Sequence, residues 1–187
     1  MPKLFIKLQR QLQSEWCWAA ITASISRHYD PDSPWCQCKL ATRMTRSRQT
    51  GNKDCCSRPY TRDIAHTCNQ PQYLEKALRL IGRLAAPPIA GPLTFGRIRK
   101  EILAGRPVCV RIRWPGSTTG HFLLIYGCTK SKGGNHWLYV EDPLYGSSTW
   151  LYSEFCRNYQ YAEGRWSHTY PIKSGATARR EGKRAAA

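Results

Sequence analysis

No stretch of this chain approaches the roughly 20 consecutive apolar residues that a membrane-spanning helix needs. The N-terminal segment is interrupted by Lys3, Lys7 and Arg10. It therefore lacks the continuous apolar run and small-residue cleavage site of a secretory signal peptide. On this reading the chain stays where it is made or travels by another route. Internal repeats and low-complexity tracts are missing, as are helix-turn-helix, zinc-finger and RNA-recognition signatures. Acidic residues are scarce: 12 Asp+Glu stand against 29 Lys+Arg, for a formal net charge of +17. The basic residues are scattered, apart from runs at Arg43–Arg48, at Arg97–Lys100 and in the tail from Arg179. Such a balance fits solubility and acidic partners, with nucleic-acid binding as the alternative.

What is present is enough to build a core. Apolar residues make up 41% of 187 residues, too much for a disordered chain and about right for one domain. Leu4, Ile6 and Leu8 alternate with polar neighbours like a short edge strand. Ser14 is placed to cap a helix carrying Cys17, Trp18, Ile21 and Ile25, which Asp30-Pro31 ends. A second helix is expected from Cys38 to Arg46, then loop over residues 47–70. Pro71 opens a third helix, in which Leu74, Ala77, Leu78 and Ile81 share one face. Phe95, Ile98 and Ile102 mark a fourth helix that stops at Gly105. From Val108 onward the pattern changes to five short strands separated by Gly, Pro, Ser and Asn. Helices first and strands second indicate an α+β fold, with helices packed on one side of a mostly antiparallel sheet. The expected domain is 1–173, helical over about 11–105 and sheet over about 106–173. The basic tail, 174–187, is expected to be disordered.

Nine cysteines cannot all pair, so at least one thiol is left over. Cys36, Cys38, Cys55, Cys56 and Cys68 crowd one segment. Their readings are disulfides that pin the loop, reduced packing thiols, or a zinc site whose spacing matches no common pattern. Cys109, between Val108 and Val110, reads as a buried inert thiol. Cys17 differs. It sits in the first turn of a helix, where unpaired N–H groups and the positive end of the macrodipole favour a thiolate, the nucleophilic form. Gln11, six residues upstream, carries an amide suited to an oxyanion; Gln13 is its rival. Trp16 and Trp18 would wall the site. His121 opens the most apolar strand, after a small Gly120 that lets another chain approach. Asp142 ends the next strand. A Gly133-Gly134-Asn135 turn would join the two strands as a hairpin and set the two side chains together, base and orienting acceptor.

Gln11-x5-Cys17-Trp18, Gly120-His121-Phe122 and Asp142-Pro143-x-Tyr145-Gly146, in that order, resemble papain-like cysteine proteases. The likeness is greatest to the avirulence-effector proteases of plant pathogens and the bacteriocin-leader peptidases. The Trp-Cys-Trp-Ala-Ala string and the Cys55-Cys56 to Cys68-Asn69-x-Pro71 region favour the effector branch. The resemblance implies a two-lobed fold with Cys17 as nucleophile, His121 as base and acid, Asp142 as orienting residue and Gln11 in the oxyanion hole, with no cofactor or metal. It further implies a bacterial effector or interbacterial toxin, carried by a secretion system into the cytosol of a recipient cell, with a specific protein substrate and an immunity partner. Two alternatives stay open: a non-catalytic basic binding module, and a deamidase or transglutaminase using the same three residues.

Overall fold

The computed structural model describes residues 1–46 and 54–175. The expected tail beyond residue 175 and the 47–53 segment lie outside the described residues. Among the described residues there are six helices and six strands: α1 Cys17–Tyr29, α2 Gln37–Thr45, α3 Arg62–Cys68, α4 Leu74–Leu80, β1 Ile89–Ala90, α5 Phe95–Leu103, β2 Val108–Arg113, β3 Gly120–Lys130, β4 His136–Asp142, β5 Gly146–Leu151, α6 Tyr152–Arg157 and β6 Arg165–Tyr170. The strands form one antiparallel sheet in the order β1-β6-β2-β3-β4-β5.

Period-two alternation along the central strands sorts the core into two halves. Cys109, Phe122 and Leu124 face α1, α2 and α4. Val108, Val110, Ile112, Leu123 and Ile125 face the opposite way and pack with Ile98 and Ile102 of α5 and Phe155 of α6. Helices therefore cover both faces of the sheet, where the sequence pattern suggests one. The difference lies in α5 and α6. Each is short and amphipathic, and nothing local says which face it caps.

α1 is the central helix. Every residue from Cys17 to Ser26 is buried. Its small residues, Ala19, Ala20 and Ala23, let the sheet and α2 come close. The buried hydroxyls of Thr22 and Ser24 donate back to the carbonyls of Trp18 and Ala20 at 2.7 Å, so burial leaves them satisfied. The helix does not start at a Ser14 cap. Trp16 is the cap residue, and no side chain accepts from the first turn. Ser14 is used elsewhere, its hydroxyl accepting from Asn69 Nδ2 at 2.9 Å. Three further expectations change. Leu4–Leu8 is not a strand; pairing is confined to a bridge between Lys3 and Gly127. The 47–70 stretch contains α3, capped by Thr61. Residues 152–157, for which the sequence pattern suggests no helix, form α6.

The cysteine cluster resolves into two disulfides, Cys38–Cys56 and Cys55–Cys68. They tie α2 through the 54–56 turn to the end of α3. Cys36 keeps its thiol, 3.5 Å from the Cys38 sulfur. Among the described residues Cys36, Cys38 and Cys56 group closely enough to share a metal ion, but the disulfide uses two of the three sulfurs. Five cysteines are free, so the odd count does not by itself single out Cys17. Closing loops of 13 and 18 residues should stabilise the fold by about 2–4 kcal/mol per bridge. Urea denaturation with reductant is therefore expected to give a clearly lower midpoint than without it. Equal midpoints would mean that packing alone holds α2 and α3.

Candidate active site

The site forms where the N-terminus of α1 meets the ends of β3 and β4. Cys17 is the first residue of α1 and is 7% exposed. The N–H groups of that turn have no acceptor inside the helix, and no side chain caps them. They are thus available to an anion beside the sulfur.

β3 and β4 form the expected hairpin. Its turn closes through Gly134, whose φ of +84° suits glycine and few other residues. At the open end His121 Nε2 lies 2.8 Å from Asp142 Oδ1. That contact leaves Nδ1 as the ring nitrogen free for Cys17. Burial of the ring works against the imidazolium. Hydrogen bonding and charge from Asp142 and Cys17 outweigh it, and the pKa rises from 6.5 to about 9. The sulfur and the carboxylate thus flank one ring and favour its protonated form.

Asp142 is 1% exposed yet fully partnered. Its Oδ1 also accepts from the N–H groups of Leu144 at 2.7 Å and Tyr145 at 3.1 Å. Its Oδ2 accepts from the Tyr159 hydroxyl at 2.7 Å. Burial would push this carboxyl up, but His121, Tyr159 and the Leu144 N–H hold it below the ordinary carboxylate value. Tyr159 is wholly buried. Burial and then the Asp142 charge push its pKa up, so it stays a phenol and a donor. A tight turn delivers it: Gln160, Tyr161 and Glu163 all have φ between 53° and 61°, and Tyr159 N donates to Gly164 O at 2.9 Å. Three non-glycine residues in the left-handed region cost free energy that the surrounding packing must offset.

Gln11 is close but occupied. Its Nε2 donates to the carbonyls of Ser14 at 2.7 Å and Gln13 at 3.0 Å, while its Oε1 is buried without a partner. A reversed amide would set oxygen against two carbonyls, so the observed orientation is the favourable one. Gln11 N donates to Pro143 O at 2.9 Å, and Arg10 donates to Leu144 O at 3.0 Å. The upstream segment is thereby stitched to the loop that holds Asp142. Gln37, only 2% exposed, bonds Leu12 N, Arg10 O and Gln9 Oε1 from the other side.

The structure thus brings Cys17, His121 and Asp142 together and turns the Gln11 amide onto its own turn. Trp16 does not wall the site. It is buried, and its indole donates to Cys68 O at 2.8 Å. Trp18 backs the cleft and donates to Gln70 O at 3.1 Å. Gly120 does border the cleft beside Cys17, whose volume is about 580 Å³. Sequence reasoning missed Tyr159 and Gln37. Neither has a local signal, because both act across the fold. Cys109, in contrast to Cys17, is fully buried, and burial pushes its thiol far up.

The model of the peptidase C39-like family matches residues 3–172. The chain belongs to that family. It is a cysteine peptidase, as the motifs around Cys17, His121 and Asp142 imply. No curated protein matches the chain. Among solved structures, the peptidase C39-like chain is similar to a double glycine motif protease from an AMS/PCAT transporter, solved in complex with the leader peptide. The two share 17% identity over 92% of this chain and 94% of the other, with a TM-score of 0.49.

Proposed function

We propose that the protein is an endopeptidase that cleaves a peptide segment lying in the cleft beside Cys17, through a Cys17–His121–Asp142 triad. The observation that carries this is one imidazole set between a helix-terminal thiol and a buried carboxylate 2.8 Å away. The Cys17 sulfur attacks the scissile carbonyl carbon and the carbonyl electrons move to oxygen. His121 gives its proton to the leaving nitrogen as the C–N bond breaks. A water then loses a proton to His121 and attacks the thioester; the C–S bond breaks, the acid leaves and the thiolate–imidazolium pair is regenerated. The oxyanion meets the Cys17 N–H. Gln11 joins it by releasing Gln13, the longer of its two bonds. On this account Gln11→Ala lowers kcat about 10²-fold. A variant that keeps kcat but melts earlier would assign Gln11 to bracing its turn.

The test of the whole reading compares wild type with Cys17→Ala on a cell lysate, reading new N-termini by mass spectrometry. Cysteine-dependent cleavage at a few sites is expected. Modified glutamine side chains with no new N-termini would replace peptidase chemistry with acyl transfer to or from glutamine. An effector or toxin role in a recipient cell uses the same chemistry. It should appear as growth inhibition by wild type that Cys17→Ala lacks.

A further inference from the structure

The cleft beside Cys17 holds a cation that the triad does not use. Arg111 lies on β2, between Val110 and Ile112, which are buried toward α5 and α6. Alternation sends Arg111 to the other face, where it lines the cleft. Gly120 makes room for it. A Cβ at Gly120 would stand 2.5 Å from Arg111 Nε and 2.8 Å from Cζ, so the guanidinium lies against the backbone immediately before His121. The bare position that the sequence reserves for an approaching chain is filled by this side chain.

Among the described residues Arg111 makes no ion pair, and its side chain makes no hydrogen bond. Two carboxylates border the same cleft, Glu15 and Glu75, but on the helical wall. Burial pushes the Tyr170 pKa up, Glu75 adds to the rise and Arg111 opposes it, yet no Glu75–Arg111 pair forms. A guanidinium offers five donors in a planar fork that suits a carboxylate. In open water, solvent satisfies them. A peptide lying across the cleft strips that water away and leaves the donors unpaired unless the peptide brings an acceptor. The glutamates opposite disfavour a second acid facing the helical wall, so the match is one acid in one register rather than a polyacidic run.

We infer that Arg111 is a specificity-determining residue that selects substrates carrying a single aspartate or glutamate side chain close to the scissile bond. The inference rests on the proposed peptidase reading and names its substrate class. The test uses the whole 187-residue chain and a peptide library with one position varied at a time, reading kcat/KM. Wild type should prefer Glu or Asp over Gln or Asn by 10-fold or more at one position. Arg111→Gln should bring that ratio close to one while keeping kcat on neutral peptides, and Arg111→Glu should turn the preference toward Lys and Arg. Arg111→Lys, which keeps the charge but not the fork, should retain part of the preference and serves if Arg111→Gln folds poorly. Cys17-dependent cleavage with no acidic preference, or a preference that survives Arg111→Gln, overturns the inference and leaves the peptidase reading standing. Cleavage that persists in Cys17→Ala, or none of any library member, overturns both.

Discussion

A Cys17→Ala protein is expected to fold like the wild type and to cleave peptide at least about 10⁴-fold more slowly, the scale of loss when a covalent nucleophile is removed. Alanine suits the first turn of a helix, and only the sulfur of a residue that is 7% exposed is deleted. Melting temperature and circular dichroism should therefore stay near those of wild type. His121→Ala should lose activity on the same scale, because neither the sulfur nor the leaving nitrogen then has a proton partner. The double variant should be little worse than either single one, since the two residues act as a unit. Other thiols do not substitute for Cys17. Cys109 and Cys128 are buried, and burial pushes both thiols up. Cys156 is held up in the same way. Cys36 lies beside the Cys38–Cys56 disulfide. A folded Cys17→Ala protein that cleaves within tenfold of wild type would remove Cys17 from the chemistry.

The parts of this arrangement that sequence reasoning found are those with local signals. The helix carrying Cys17 announces itself by its apolar face and by Asp30-Pro31. The β3–β4 hairpin announces itself by its glycines and by alternation. Together they put His121 and Asp142 on neighbouring strand ends without a long-range assumption. Errors occurred where two local signals compete or where none exists. Ser14 is a good cap by type, but Asn69 takes its hydroxyl and the helix starts two residues later. That shift makes Cys17 the first helical residue. Gln11 has the right spacing, but spacing does not say that two carbonyls of its own turn claim the amide. Trp16 and Trp18 both read as cleft walls because aromatics often are; Trp18 does back the cleft, but Trp16 is turned away, and both indole donors fasten α1 to the 68–70 segment. Tyr159 and Arg111 reach the site from distant strands and turns, and only the folded sheet brings them there.

Asp142→Asn is expected to move the basic limb of the kcat/KM profile down, from about pH 9 toward 6.5, while the protein stays folded. The limb reports loss of the imidazolium at His121, whose pKa stands near 9 because Asp142 and Cys17 favour the charged ring. An asparagine keeps an oxygen for His121 Nε2 and for the N–H groups of Leu144 and Tyr145, so geometry survives while the charge is lost. Its amide then faces the Tyr159 oxygen, which can accept. Tyr159→Phe should shift the limb the same way but less. It removes the donor that fixes Asp142 Oδ2, so the carboxylate, still ionised, is held less firmly in place against the ring. A tyrosine that only fills space would leave the limb unmoved, which separates positioning from packing. Stability should follow the same pair. The raised pKa of His121 stabilises the fold fully below about 6.5, and this contribution fades as pH rises through about 9. The lowered pKa of Asp142 contributes above its ordinary 3.8, and that contribution fades as pH falls through the depressed value. Wild type should accordingly melt highest between about pH 4 and 6.5 as far as this pair decides it. Asp142→Ala should melt lower throughout that window, by about 3 kcal/mol, because it leaves a buried imidazolium and a buried phenol without an acceptor. Melting curves at pH 5, 7 and 9.5 decide this: a wild-type advantage over Asp142→Ala that does not shrink by pH 9.5 would rule the ion pair out as its source.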